Sequence, residues 1–580
     1  MKKKISTSSA RISHRLATRP GEKSGLLLGL ALLLAAAAGL GPLSTAGARA
    51  ATAGPELPVE ETRSWAVLTD GRVKPIQAFA DETALTLAGR KSLSGLSSLD
   101  IFWGYALDPD DFRERDLIRV DSIDLKEQLG LDPDQRRFSF STLMASREFQ
   151  ALAAQARRKS QAEEELARLE SDALGVYSKL VRVADLMAGD ALTIVPLPDE
   201  DGRWSTPGKL ADAESPAARA VFEEFMSLRA AFSQRDVEAF RKASTELGLS
   251  LRQLNPSLYP AQSALDRELF YWDLNAFGKA WKLYLGAFLV LLLLGFSDSR
   301  KVYFGGLALL IAGFAFHSVG IGLRWAIAGR APVSDMYESL VFMGWGVVAF
   351  GLVQEAAYRR RFFSLAASLM GSLCLAFAEN LPIDSGINPL VPVLAHTSWL
   401  AVHVMTIMLA YSALALAMAL AHVALVYQLF LPDKRSQIRT QSLLLYNTLQ
   451  VGLLFLAAGI ICGAVWANES WGRYWGWDPK ETWSLITFFV YLAIIHARFA
   501  GWLRDFGLAA AAILGFLSVI MTYYGVNFIL ASGLHSYGFA DGGQFYAYLF
   551  ALVQLSVVAA AFFARRRIAD KAQVASPEVA

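Results

Sequence analysis

"WLAVHVMTIMLAYSALALAMALAHVALVYQLF", residues 399–430, contains no Asp, Glu, Lys, Arg, Gly or Pro. It is longer than the ~20 residues that an α-helix needs to cross ~30 Å of hydrocarbon. The stretch therefore decides the fold class, because a helix with no polar face belongs in a membrane rather than on a soluble surface. Working outward, comparable apolar runs fall near residues 281–297, 302–328, 338–357, 362–379, 447–466, 483–500, 506–530 and 544–564. Residues 51–275 hold no such run. The expected fold is an all-α polytopic membrane protein of about nine transmembrane helices, preceded by a signal sequence or anchor and a mostly helical soluble domain.

The charges set the orientation. Lys and Arg concentrate on cytoplasmic loops. Here Arg300/Lys301, Arg359–Arg361, Lys434/Arg435/Arg439, Arg498/Arg504 and Arg565–Arg567 all occupy alternate loops. The loops 380–398 and 531–543 lack Lys and Arg altogether. This pattern predicts a multi-pass protein of the cytoplasmic (inner) membrane, with residues 51–275 and the loop 467–482 on the periplasmic, outer side. Residues 1–50 pass from basic (Lys2, Lys3, Lys4) to apolar (Leu26–Leu40) to Ala48-Arg49-Ala50. That order describes a cleaved signal peptide or an uncleaved signal anchor. Residues 566–580 form a cytoplasmic tail. Formal charge over the 580 residues is +2, a balance that gives no indication of nucleic acid as a partner. The cysteines, Cys374 and Cys462, lie inside apolar runs, so the exported domain has no disulfide and the chain has no CxxCH site.

Within residues 51–275, Asp70-Gly71 and Lys74-Pro75 read as turns before a helical stretch. Residues 146–188 read as one long helix or a helix pair, and about 215–248 as a second helical stretch. No catalytic constellation is visible in this domain. Receiving the apoprotein substrate, docking a partner subunit and bracing the membrane bundle are all open roles for it.

The chemistry concentrates in "WGRYWGWDPKETW", residues 471–483. An interfacial aromatic belt spreads its Trp and Tyr over many span ends. Here Trp471, Trp475 and Trp477 share one loop with Asp478 and Glu481. Of seven histidines, six lie in the membrane half: His317, His396, His403, His422, His496 and His535. His403 and His535 reach the outer face from either side of the Trp-rich loop in sequence, whereas His317 and His496 lie within spans, where ionisable groups are costly. Neutral imidazoles ligate haem iron, and Trp faces offer a shelf for a flat macrocycle. Haem is thus the flat partner that this pattern suggests. For its propionates the outer-face cations are Arg324, Arg330, Arg473 and Lys480. Asp478 and Glu481 read as braces of the loop.

The run Trp471-Gly472-x-x-Trp475-x-Trp477-Asp478-x-x-Glu481 resembles the WWD signature of haem-handling proteins of cytochrome c maturation. "FHSVGIGLRWAIAGRAPVSDMYESL" (316–340) and "SWLAVHVMTIMLAYSAL" (398–414) are similar to the CcsA (ResC) proteins of the system II pathway, over roughly residues 280–565. The resemblance implies that His403 and His535 ligate haem iron on the outer face, and that His496 is a transit ligand within the membrane. His317 resembles a histidine of the family's early spans. His396 and His422 carry no motif and read as structural.

The implied function is cytochrome c maturation. Haem b, as substrate and bound ligand, is presented for thioether attachment to the CxxCH segment of apocytochrome c by a holocytochrome c synthase (haem lyase) complex. The implied partners are a CcsB (ResB)-like membrane subunit, whose spans are not recognised in residues 51–275, the apocytochrome, and thiol-reducing proteins on the outer face. The competing classes are a transporter of a small solute and a haem exporter without attachment activity. A secondary transporter calls for inverted repeats, and the bundle shows no internal repeat.

Overall fold

The computed structural model describes residues 57–162, 164–198, 202–295, 299–380, 383–390, 397–530 and 544–574. The soluble part is built from helices α1 (Ile76–Ala88), α2 (Ser98–Leu107), α3 (Pro109–Phe112), α4 (Ile123–Gln128), α5 (Phe140–Ala145), α6 (Arg147–Gln161), α7 (Arg168–Ala188), α8 (Pro216–Ser233), α9 (Val237–Leu254) and α10 (Gln262–Leu274). Small antiparallel ribbons pair β1 (Ala66–Thr69) with β2 (Arg72–Pro75), β3 (Ile118–Arg119) with β4 (Arg137–Phe138), and β5 (Val195–Pro196) with β6 (Trp204–Ser205). Apolar residues from Leu57 to Leu265 make one core, in which the buried Trp103 indole donates to Thr62 Oγ1 at 2.7 Å.

The Asp70-Gly71 turn joins β1 to β2. Both residues have positive φ, 52° and 76°, as a two-residue hairpin turn requires. Lys74-Pro75 is no turn: it is the end of β2, and Pro75 serves as the N-cap of α1. Residues 146–188 form the helix pair α6 and α7.

The membrane part comprises α11 (Ala276–Leu292), α12 (Arg300–Ala328), α13 (Met336–Tyr358), α14 (Phe362–Asn380), α15 (Trp399–Phe430), α16 (Arg435–Trp471), α17 (Pro479–Phe499), α18 (Asp505–Ile520) continued by a π-helix (Met521–Leu530), and α19 (Gln544–Val574). Eight of these segments are long and apolar enough to cross a membrane. The ninth expected span, α11, has 17 residues and is prolonged by a 3-10 turn, Leu293–Gly295, reaching about 30 Å together. A second core runs from Tyr271 to Ala561.

Helix α15 is the most enclosed span. Its neighbour α16 approaches closely because Gly452 and Gly459 share a face: a Cβ on them would lie 2.5 Å from Leu414 and 2.6 Å from Ile407. Small residues allow such contact between membrane helices. Helix α16 has 37 residues, about 55 Å at the usual helical rise. It runs past the expected span end at 466 because nothing in Ala467–Trp471 breaks a helix, until Gly472 takes the left-handed conformation (φ 70°). Trp471 is consequently helical and not part of the loop.

The soluble part is fastened to the bundle through α10. Arg63 donates to both carboxylate oxygens of Asp273 at 2.9 and 2.7 Å, and Arg72 to those of Glu268 at 2.7 and 2.8 Å. Asn275, left-handed at φ 43°, ends α10, and its side chain accepts from Gly278 N to start α11. Beyond α10, Glu82 and Gly71 of the soluble part stand beside Gly386 and Pro389 of the segment 383–390.

Candidate functional site

The Trp-rich loop is held by its acids. Asp478 accepts from Lys480 N at 2.9 Å, and Glu481 accepts from Asp478 N at 3.2 Å, closing a capping box on α17. Glu481 also accepts from Gly476 N at 2.7 Å and from Arg473 Nη1 at 3.3 Å. Gly476 leaves room for the Arg473 guanidinium, which a Cβ there would displace. Trp477 adopts φ 59°, which is strained for a residue with a Cβ, and its side chain is 70% exposed. Strain of that kind clusters at active sites and ligand clamps.

The aromatic rings do not form one flat shelf. Trp475 and Trp477 stand at 89° to each other, 5.8 Å between centroids. A planar ligand therefore meets a face of one and an edge of the other. Trp471 lies edge-on to Trp466, at 4.7 Å. Trp466, buried at 1% exposure, is a member of the cluster that the sequence reading missed. Its signal was its place on the same helix, shortly before Trp471.

His403 completes this cluster. On α15 it reaches across to α16, where its Nδ1 lies 2.8 Å from the Gly459 carbonyl. A carbonyl only accepts, so Nδ1 carries the proton and the lone pair sits on Nε2, the nitrogen a metal takes. The ring is parallel to Trp466 (7°, 6.1 Å between centroids). Gly463 admits it, since a Cβ there would lie 2.6 Å from the imidazole.

The other predicted ligands are placed apart. His496 is exposed near the far end of α17, about 25 Å along the helix from its start. Its Nδ1 is 2.8 Å from the Leu492 carbonyl, which again leaves the lone pair on Nε2. His317 is fully buried, and both of its nitrogens are engaged: Nδ1 with the Tyr284 hydroxyl at 3.1 Å and Nε2 with the Val341 carbonyl at 3.0 Å. This geometry ties the His317 ring to two neighbouring helices. His422 Nδ1 meets the Met418 carbonyl at 2.8 Å. His535 and His396 lie outside the described residues.

Arg324 and Arg330 were expected to meet propionates, and their donors are spent elsewhere. Arg324, 1% exposed, donates to Glu338 at 2.9 Å, to the Tyr271 hydroxyl at 3.2 Å and to the carbonyls of Ser385 and Gly386 at 2.9 and 2.5 Å. Arg330 donates to Glu338 at 2.7 Å, to Ser334 Oγ at 2.8 Å and to the Asn388 carbonyl at 2.8 Å. The pair clasps the segment 383–390 to the start of α13 around one buried carboxylate. Asp335, the N-cap of α13, completes this knot by accepting from Glu338 N at 2.7 Å.

A polytopic helical bundle with an imidazole set among tryptophans at the end that bears a soluble domain defines the class, and comparison with known proteins defines the family. The profile of the cytochrome C assembly protein family matches residues 333–535. CcsA cytochrome c biogenesis proteins of Synechococcus and Prochlorococcus marinus are 38% and 36% identical over 278 and 316 residues; the match covers 42% and 45% of this chain, and 88% and 96% of theirs. Protein NrfI of Wolinella succinogenes is 33% identical over 499 residues, 81% of this chain and 53% of that protein, so the chain spans about half of that relative. The likeness to NrfI covers more than the membrane part makes up and so runs into the soluble part. The chain belongs to the CcsA family of cytochrome c biogenesis proteins, and its work is cytochrome c maturation, in which haem and apocytochrome c take part.

Proposed function

We propose that the chain holds haem b at the end of the bundle that carries the soluble domain, and presents it for covalent attachment to the CxxCH segment of apocytochrome c. That end is the outer, periplasmic side of the cytoplasmic membrane, by the distribution of Lys and Arg among the loops. The observation that carries the reading is the His403 imidazole, oriented by the Gly459 carbonyl so that its lone pair sits on Nε2, with its ring against Trp466. His535 is the proposed second axial ligand.

Attachment adds each cysteine S–H across a vinyl C=C: a carbon–sulfur bond forms, the proton ends on the neighbouring carbon, and no electrons are lost or gained. The task of the chain is therefore positioning, since holding the vinyl edge near incoming thiols makes a bimolecular encounter local. The Trp-rich loop supplies faces and edges around the macrocycle. One axial imidazole yields when the histidine of the CxxCH segment takes its place. His496, exposed on the surface of α17, is the proposed transit ligand, completed by a CcsB (ResB)-like subunit in a holocytochrome c synthase complex. Thiol-reducing proteins on the same side keep the cysteines competent.

The test is the absorption spectrum and pyridine haemochrome of the detergent-purified protein, native and as His403→Ala and His535→Ala, each with and without imidazole. Bound b-type haem in the native protein, lost in the variants and recovered with imidazole, is expected. A protein that stays haem-free when produced with ample haem and its partner subunit would overturn the reading in favour of a transporter.

A further inference from the structure

The four cations expected near the haem differ in one respect. Arg324 and Arg330 share the carboxylate of Glu338, and Arg473 pairs with Glu481 at 3.3 Å. Lys480 makes no ion pair within hydrogen-bond reach of a carboxylate among the described residues, although the charge of Asp478 acts on it from nearby. Its ammonium donates instead to a neutral amide, Asn527 Oδ1, at 2.9 Å. Asp478, two residues away in the chain, accepts from the backbone N–H of Lys480.

This is an unfavourable place for a positive charge. Lys480 lies in the first turn of α17, where the helix dipole disfavours cations. It is also partly buried, where an ammonium with no carboxylate hydrogen-bonded to it, and only the nearby Asp478 charge to offset burial, is costly. Tying the loop to Asn527 needs only a neutral donor, so the hydrogen bond does not account for the charge. Asn527 itself is 9% exposed and sits in the π-helix Met521–Leu530, a conformation that recurs at functional sites. The π-helix is gripped from several sides. Tyr523 engages Ser339 Oγ and the Met336 carbonyl at 2.9 and 3.1 Å, and Thr522 meets Thr487 at 2.9 Å. Beyond Leu530 the chain leads to His535. The ammonium is thus fixed where the Trp-rich loop meets the helix that leads to the second proposed axial ligand.

We infer that Lys480, held in place by Asn527, is the anchor for a carboxylate of the bound ligand, a haem propionate. This rests on the haem reading above and assigns its acidic contact. The charge that costs stability in the unliganded protein is offset when the propionate arrives, and the fixed ammonium sets the rotation of the macrocycle about the iron axis. That rotation decides which edge carries the vinyl groups toward the incoming thiols.

The experiment is a spectroscopic titration of the full-length, haem-depleted chain in detergent with haem b and with its dimethyl ester, in which both propionates are masked. In the native chain the ester is expected to bind at least about tenfold more weakly, the ratio of one modest charge pair. Lys480→Gln is expected to bring that ratio close to one with the Soret position unchanged, since the axial ligands are untouched, and Lys480→Arg to keep it. A native chain that binds both ligands equally, or a Lys480→Gln chain that keeps the native ratio, overturns the assignment while leaving the haem site standing. Failure of the native chain to bind either ligand overturns the haem reading and the assignment with it. Asn527→Leu, which leaves the charge but frees its position, is expected to lower the ratio part of the way.

Discussion

The imidazole of His403 and the indole of Trp466 are parallel, 7° apart in plane and 6.1 Å between centroids, although they sit on different helices. What permits this is a missing side chain. A Cβ at Gly463 would stand 2.6 Å from His403 Cε1 and 2.8 Å from Nδ1, closer than real Cβ contacts come.

Gly463→Ala should therefore turn the His403 ring away from the Gly459 carbonyl without removing the ligand. Loss of such an orienting bond typically costs about 10- to 100-fold in metal affinity. Haem per protein after purification, by pyridine haemochrome, is expected to fall accordingly. Native haem content in Gly463→Ala would mean that the ring's seat does not matter for binding.

Glu338 is the only carboxylate hydrogen-bonded to Arg324 and Arg330 among the described residues. Its substitution by Gln leaves two guanidiniums in the protein without that charge. Breaking a buried pair in this way costs about 3–5 kcal/mol. A large drop in the thermal unfolding temperature in detergent is expected, with loss of the clasp on residues 383–390. A variant as stable as the native chain would show that water replaces the carboxylate.

His317→Phe should separate packing from ligation. The substitution removes hydrogen bonds to Tyr284 and Val341, at about 1–3 kcal/mol. Stability is expected to fall, and the haem content of the folded fraction to stay at the native level. Haem lost from folded protein would make His317 a ligand.

Glu82 of the soluble part lies beside Gly386 of the segment 383–390. Burial raises its carboxyl above the ordinary value; Lys74, its ion-pair partner, opposes the rise and Asp384 adds to it. Its Oε1 has no hydrogen-bond partner. A carboxyl with a raised folded pKa contributes stability that is present at low pH and lost as pH rises through the folded value. Stability should fall as pH climbs above the ordinary carboxylate range. Thermal melts over a pH series are expected to show that slope in the native chain and not in Glu82→Gln. A slope that survives the substitution belongs to another group.

Much of the architecture was legible from the chain alone. Nine apolar runs mark nine helices, eight of them among the described residues long and apolar enough to cross a membrane, because hydrocarbon rewards apolar side chains one by one, whatever their neighbours. The turn at Asp70-Gly71 was legible too, since few residues accept positive φ, while its ribbon was not, because four-residue strands carry too little pattern. The end of α16 was misplaced by five residues: the span stops where apolarity stops, but a helix stops only where its backbone must, at Gly472.

The candidate site was legible in its unusual residues and opaque in its contacts. His403 and the Trp-rich loop stood out in sequence, yet Trp466 looked like one more apolar residue of a span. Arg324 and Arg330 looked available because their neutraliser, Glu338, and the carbonyls of residues 385–388 are supplied by other segments.

The sequence by itself determined that this chain crosses a membrane many times and belongs with proteins of cytochrome c maturation, because span length, charge asymmetry and the WWD signature are properties of contiguous residues. Only the tertiary structure decided which polar groups remain for chemistry. It engages His317 at both nitrogens, commits three of the four cations to carboxylates, orients His403 with a carbonyl from another helix, and leaves Lys480 facing a neutral amide. A hydrogen bond is consumed by whatever partner the fold brings within about 3 Å, and that partner is usually far away in the chain.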